Sequence, residues 1–248
     1  LYKLDIMQLP KMNNTKIDQK LVDRLEKIAD PGELMAELFR IFGDRAAIGT
    51  SGQWTGVALI DMVIHAGISS PRVYTVDTLR LFPETYDLFR ELEKKYNIKV
   101  EKAPPDFDAV NKMVREHGEM IFFDSKAKQE HCCKIRKVDP NNKILDTLDV
   151  WITGLRKDQS ATRTSMRLVE WDDSNNIIKI NPLINWTEQD VIQYIQEKGI
   201  PCNPLHKKGY ASIGCQPCTR AIEKGEDVRA GRWWWEDPAT KECGLHKK

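Results

Sequence analysis

Leu21, Leu25 and Ile28 share one helical face, and after Pro31 the residues Leu34, Met35, Leu38, Phe39 and Phe42 repeat that spacing, so the chain opens on two helices. From Arg45 the period changes. A short apolar run over 45–48 reads as a buried strand, Gly49-Thr50-Ser51-Gly52 as a loop of small residues, and 57–66 as a helix apolar on most faces. Such a helix lies against a sheet. The alternation continues with strand 72–76, helix 83–96, strand 98–100, helix 107–116 and strand 150–153. A helix over 187–198 is signalled by the cap Thr187, by Glu188 and Asp190 in its first turn and by Gly199 behind it. After Ile200 the pattern dissolves around Pro201, Pro204, Gly209, Gly214 and Pro217.

Strands alternating with helices predict an α/β fold, a parallel twisted sheet flanked by helices. Sheets of this kind bind ligands beyond the carboxyl ends of their strands. Those ends carry Thr50-Ser51-Gly52, Asp77-Thr78 and Gly154-Leu155-Arg156. The expected organisation is one compact domain in three parts. N-terminal helices span 1–43, a nucleotide-binding α/β core with the Cys132-Cys133 pair spans 44–200, and a Cys-x-x-Cys segment with a C-terminal tail spans 201–248.

Composition narrows the function classes. The 248 residues are 41% hydrophobic and 30% charged with a formal net charge of +1, which fits a globular protein and excludes a disordered one. Near-neutrality argues against general nucleic-acid or membrane-surface binding, though a few placed cations suffice for a small anion. No apolar run reaches membrane-span length and no signal-peptide core opens the chain, so a cytoplasmic location with reduced thiols is expected. Leu1 in place of Met leaves room for a start upstream.

The chemistry lies in six cysteines. Cys132 and Cys133 are adjacent, Cys215 and Cys218 form a Cys-x-x-Cys, and Cys243 stands in Glu-Cys-Gly-Leu-His near the end. Two distant couples point to one four-thiolate metal site pinning the C-terminal region to the middle of the chain. Either a tetrahedral zinc or a four-iron, four-sulfur cluster takes four cysteines. Adjacent cysteines favour the cluster, because neighbours on a helix project about 100° apart and its iron corners are separate. The bland alternative is that Cys132 and Cys133 are buried small hydrophobes. Cys243, with Arg229, Arg232 and His246 around it in sequence, reads as a thiolate nucleophile separate from the metal. His65, His117, His131 and His206 show no metal-ligand spacing.

Two loops suit an anion. Ser51-Gly52, between a strand and a helix, can aim backbone amides and a helix N-terminus at a phosphate, although such turns are common. The stretch from Gly154 to Arg163 ends a strand in glycine and then presents Arg156, Arg163 and several hydroxyls, which suits an oxyanion or an ordinary solvated loop.

These residues together resemble the iron–sulfur type of adenylyl-sulfate (APS) reductase within the sulfonucleotide reductases that act on APS or on 3′-phosphoadenylyl sulfate (PAPS). The resemblance rests on Thr50-Ser51-Gly52, Val76-Asp77-Thr78 with Pro83-Glu84-Thr85-Tyr86, Cys132 to Lys137, Trp151 to Arg163, Gly214 to Arg220, Gly231 to Glu236, and Glu242 to His246. It implies an adenine nucleotide alpha hydrolase-like fold, a degenerate relative of ATP pyrophosphatase domains. It implies reduction of APS to sulfite and AMP, with thioredoxin or glutaredoxin as reductant, in assimilatory sulfate reduction and cysteine biosynthesis. By motif position, Cys132, Cys133, Cys215 and Cys218 would ligate one 4Fe-4S cluster and Cys243 would be the nucleophile. Lys137, Arg229, Arg232 and His246 would surround the sulfate or phosphate with Arg156 nearby, and Ser51, Gly52, Asp77, Thr78, Gly154 and Arg163 would complete the substrate contacts. A homodimer or homotetramer would fit the family.

Two positions depart from the family pattern. Leu79 stands where Asp-Thr-Gly is usual, and Cys202 where an aromatic residue is common. The rival readings are an ATP pyrophosphatase-like enzyme, whose fuller Ser-Gly-Gly-x-Asp-Ser loop is missing from Ser51-Gly52-Gln53-Trp54-Thr55, and a non-enzymatic zinc or iron–sulfur module, which leaves the Cys243 motif unexplained.

Overall fold

The computed structural model describes residues 19–159 and 163–236. Its elements run α1 (Gln19–Leu25), α2 (Pro31–Phe42), β1 (Ala46–Gly49), α3 (Trp54–His65), β2 (Val73–Val76), α4 (Pro83–Tyr96), β3 (Val100–Ala103), α5 (Phe107–His117), α6 (Lys126–Cys133), α7 (Asp139–Leu145), β4 (Val150–Thr153), β5 (Val169–Asp172), β6 (Ile177–Ile180) and α8 (Glu188–Lys198). The strands form one sheet in the order β3-β2-β1-β4-β6-β5. All neighbours pair parallel except β5, which runs antiparallel to β6 at the edge.

Burial explains why these residues take these elements. β1 and β4 lie at the sheet centre, and Ala46, Ile48, Val150 and Ile152 are fully enclosed there. α3 presents Val57, Ala58, Leu59, Ile60 and Val63 to the same core, which Leu34, Met35 and Leu38 of α2 close from outside. Asp61, buried within α3, accepts from Tyr96 Oη (2.6 Å) and Tyr194 Oη (2.7 Å), so its burial is matched by donors on α4 and α8. The capping box expected at Thr187 is present, with Asp190 as its partner.

Three regions differ from the expectation. The strand expected over 98–100 lies at Val100–Ala103. Asn97 stops α4 in the left-handed region (φ 51°), so Ile98 packs while the chain is still turning. The strand continues through Glu101 and Lys102 because β3 is an edge, where polar side chains meet water. The β5–β6 hairpin was not signalled, because its turn is a polar Asp172–Asn176 run and its strands are only four residues each. Nor was the helical stretch over 126–145, whose lysines, histidine, adjacent cysteines and Pro140 carry no apolar stripe. There α6 passes into a π-helical turn at Lys134–Val138 before α7. Such widened turns recur at functional sites because they redirect side chains.

No helix among the described residues is long and apolar enough to cross a membrane. The five described cysteines are free thiols.

Candidate functional site

The carboxyl ends of the strands open into a cavity of about 450 Å³. Gly49 and Thr50 end β1, Val76 ends β2, and Thr153 and Gly154 end β4; together they form its floor with Trp151, Tyr74 and Asn141. Tyr74 is buried, donates to Asn141 Oδ1 (2.9 Å), and has its phenol pushed well up by desolvation, so it stays neutral. The N-terminus of α3 faces the same space through Trp54 and Thr55, with no side-chain cap on its amides.

Of the residues expected to contact substrate, Ser51, Thr78, Lys137 and Gly154 line this cavity, as do Arg156, Arg163, Arg229 and Arg232. Their environments differ. Arg156 is 2% exposed and held by Asp158, by Thr55 Oγ1 (2.7 Å) and by Glu188 (3.6 Å). Arg163 is buried with Gln159 as a partner. Arg232 is buried over the Trp233 ring at 4.6 Å, its guanidinium lying across Gly214. A Cβ on Gly214 would meet that guanidinium at 2.2 Å, so the close approach requires glycine there.

Gly52 and Asp77 are turned to local work. Gly52 takes φ +72° and donates its amide to Thr50 Oγ1 (3.1 Å), building the loop. Asp77 accepts from the Leu79 amide (2.9 Å) and from Tyr86 Oη (2.6 Å), which fixes the loop after β2. Leu79 in that loop has φ +59°, the conformation a glycine would take freely. Cys243 and His246 lie outside the described residues.

Beside this cavity lies a small apolar void lined by Cys132, Cys133, Cys215 and Cys218. The fold thus joins two couples more than eighty positions apart. α6 delivers the first couple and a 3-10 turn at Gln216–Cys218 the second. Phe122, Trp233 and Met113 pack round them, burying Cys132 and Cys218 and leaving Cys133 and Cys215 partly exposed. Burial pushes the Cys132 and Cys218 thiols up, opposed at Cys132 by Arg136 and at Cys218 by Arg232. Cys215 Sγ donates to Thr78 Oγ1 (3.2 Å) and Gln129 Nε2 approaches Cys133 Sγ (3.8 Å). Among the described residues no three His, Cys, Asp or Glu side chains are arranged to hold one metal ion.

The two spaces share a wall. Thr78, Lys137, Cys215 and Arg232 line both. A residue missed by the sequence reading braces this wall. Arg136, 6% exposed, is turned inward by the π-helical turn and donates to the Thr78 carbonyl (3.0 Å). Its place between the cysteines and Lys137 was the available signal. The Cys-rich segment is tied to the anion loop as well, because the Ile213 amide donates to Gln53 Oε1 (2.9 Å). In the tryptophan run Trp233 is buried and Trp235 packs on Phe123 at 4.1 Å, while Trp234 is exposed.

A family model for the phosphoadenosine phosphosulfate reductase domain matches residues 45–221, which include the strand ends and all four cysteines of the void but not Arg229 and Arg232. The chain belongs to that reductase family. It is 48% identical over 177 residues to an adenosine 5′-phosphosulfate reductase of Allochromatium vinosum, covering 71% of this chain and 69% of that protein. It is 45% identical over 196 residues to an adenosine 5′-phosphosulfate reductase of Burkholderia cepacia, covering 77% and 78%. Among solved structures, a phosphoadenylyl-sulfate reductase from Candida auris in a phosphate complex superposes with TM-score 0.68 at 27% identity, over 84% of this chain and 99% of that one. A Candida glabrata FMN adenylyltransferase shares the fold alone, with TM-score 0.55 and 12% identity over 86% of this chain and 71% of that one. The sheet with its flanking helices is thus the adenine nucleotide alpha hydrolase-like arrangement expected for a reductase of this family.

Proposed function

We propose that this chain reduces adenosine 5′-phosphosulfate to sulfite and AMP, with the nucleotide in the 450 Å³ cavity and its sulfate toward Lys137, Arg229 and Arg232. The single observation that carries this reading is the shared wall, where Lys137 and Arg232 border both the nucleotide-sized cavity and the four-cysteine void. The names of the similar reductases agree with it. A module that only bound metal would have no need of an arginine-lined cavity at the strand ends.

Cys243 is the proposed nucleophile. Its thiolate attacks the sulfur of the sulfuryl group, the S–O bond to phosphate breaks, and AMP leaves with the bonding pair. Cys243 is left as S-sulfocysteine. A thiolate of reduced thioredoxin or glutaredoxin then attacks Cys243 Sγ, sulfite departs, and the second reductant thiol closes a disulfide, supplying both electrons.

Cations serve this step chiefly by position. Lowering an ordinary thiol from about 8.5 to about 7 raises its thiolate fraction roughly 16-fold at pH 7 but costs roughly fivefold in nucleophilicity. The net gain is about threefold, whereas alignment and stabilisation of the departing phosphate are worth several kcal/mol. Lys137, Arg229 and Arg232, with His246 from the tail, are assigned that work. Arg156 is assigned a supporting role, since its donors are engaged by Asp158 and Thr55.

The donor set round the void fits a four-iron, four-sulfur cluster. Four thiols line one small apolar void, and Arg136 and Arg232 beside them can balance the charge of a thiolate set. Without a metal, burial would keep Cys132 and Cys218 as neutral thiols. Donors spread around a void suit separate iron corners better than one zinc ion. When bound, the cluster and its four thiolates would be net negative, would hold the shared wall, and would be balanced by Arg136, Arg232 and the neighbouring Lys137. The test is anaerobic purification followed by sulfite assay with a thioredoxin system. Sulfite from APS supports the reading; pyrophosphate exchange with ATP and no sulfite would replace it.

A further inference from the structure

Arg156 is the largest fully buried side chain among the described residues, and it meets two carboxylates. Its Nε donates to Asp158 Oδ1 (2.9 Å), Nη1 to Thr55 Oγ1 (2.7 Å), and Nη2 to Asp158 Oδ2 (3.3 Å) with Glu188 Oε2 at 3.6 Å. Arg163 joins them through Gln159 Oε1, which also accepts from the Arg156 amide (3.1 Å), so two guanidiniums and two carboxylates leave this part of the cavity wall formally neutral, with Glu188 as one of the two balancing charges. Asp158 is also fixed by the Glu188 amide, which donates to its Oδ2 (2.7 Å). Glu188, by contrast, touches Arg156 only through the long contact, and its side chain is 44% exposed.

The other wall carries an excess of positive charge. Lys137 and Arg232 stand where the cavity meets the cysteines, whereas Arg156, Asp158 and Glu188 do not border the cysteine void. The cavity is therefore polarised. It matches a ligand with its negative charge at one end and neutral hydroxyls at the other. A second phosphoryl group would meet guanidiniums whose charge Asp158 and Glu188 already balance, and bringing it against the Glu188 carboxylate in a partly dry site is disfavoured.

We propose that Glu188, seated on Arg156 and Asp158, is a specificity determinant that disfavours adenosine phosphosulfates carrying a second phosphoryl group on the ribose. This rests on the reading of the cavity as the nucleotide site. Glu188→Gln keeps the size of the side chain, and the Thr187–Asp190 capping box still starts α8. The wild-type enzyme should turn over APS in preference to PAPS, and E188Q should raise the PAPS-to-APS ratio of kcat/KM by about tenfold, the size of one unit-charge effect at a partly exposed site. Glu188→Lys should move the ratio further the same way. Binding of AMP and of adenosine 3′,5′-bisphosphate, measured by calorimetry at low salt, supplies a readout independent of turnover and should show the same narrowing. An unchanged ratio in both variants, or a wild-type enzyme that handles the two substrates equally, overturns the inference while leaving APS reduction intact. A wild-type protein that binds neither nucleotide overturns the site itself.

Discussion

Replacing Gly214 by alanine tests whether Arg232 is held to a tolerance that the chemistry needs. An added Cβ would sit 2.2 Å from Arg232 Nη2 and 2.4 Å from Cζ, whereas ordinary contact begins near 3.4 Å. The guanidinium must therefore withdraw by about 1.2 Å, the difference of 3.4 and 2.2 Å. Gly214 has no left-handed backbone to strain, and the obstructing group is the end of a flexible side chain, so the fold should absorb the methyl. Stability should fall by about 1 kcal/mol, the low end for an added methyl, because a flexible side-chain end can give way. Catalysis should not be spared, since a misplacement of about 1 Å at a positioned group costs on the order of 100-fold. G214A should accordingly show a near-native thermal midpoint and a kcat/KM for APS lowered about 100-fold, mostly in kcat. Sulfite release at saturating and limiting APS, with thermal unfolding on the same preparation, separates the two effects. A G214A enzyme within threefold of wild type, equally stable, would show that the position of Arg232 does not matter.

The remaining expectations concern the surroundings of the site. His206 stacks on Trp54 (4.1 Å), shares Nδ1 with the Tyr210 carbonyl (2.9 Å), and burial pushes its pKa down to about 4. Because the carbonyl only accepts, the neutral ring carries its proton on Nδ1. The unfolded chain then binds the extra proton first, so stability should fall as pH drops from about 6.5 toward 4, by up to about 2 kcal/mol at pH 5. His206→Phe, which keeps the stack, should flatten that slope in urea titrations at pH 7 and pH 5; an unaltered slope would remove His206 from the account. Leu79→Gly should stabilise the protein by about 0.5–1 kcal/mol, because a left-handed residue costs leucine about 1–2 kcal/mol and glycine gives back part of it in chain entropy. A lower unfolding midpoint for L79G would mean the leucine side chain earns its place by packing. Cys218→Ser should yield anaerobically purified protein without the brown visible absorbance and with depleted iron; full iron content would exclude Cys218 as a ligand.

Much of the fold was legible because its buried strands are short apolar runs set off by small residues. β4 was read at its observed bounds, and Thr187 and Gly199 marked both ends of α8. What escaped was structure held by tertiary contacts and not by local pattern. The helical stretch over 126–145 has no apolar stripe of its own and owes its burial to Phe122, Trp233 and the cysteines, which arrive from elsewhere. The same holds in the site. The two cysteine couples were expected to meet at one four-thiolate site, and the fold does bring them round one void. That Asp77 would be engaged by Tyr86, or that Arg156 would be saturated by Asp158 and Glu188, depends on side-chain directions that no spacing reports. Arg136 was hidden for a related reason, because only a π-helical turn aims it inward beside Lys137.

The central claim is that Cys243 carries the sulfur between nucleotide and reductant. Anaerobic enzyme mixed with APS labelled in its sulfate, without thioredoxin, should release one AMP per chain and retain the label on the peptide containing Cys243. Thioredoxin added afterwards should discharge that label as sulfite. Label found on another cysteine, or AMP formed with every peptide unlabelled, would contradict the account.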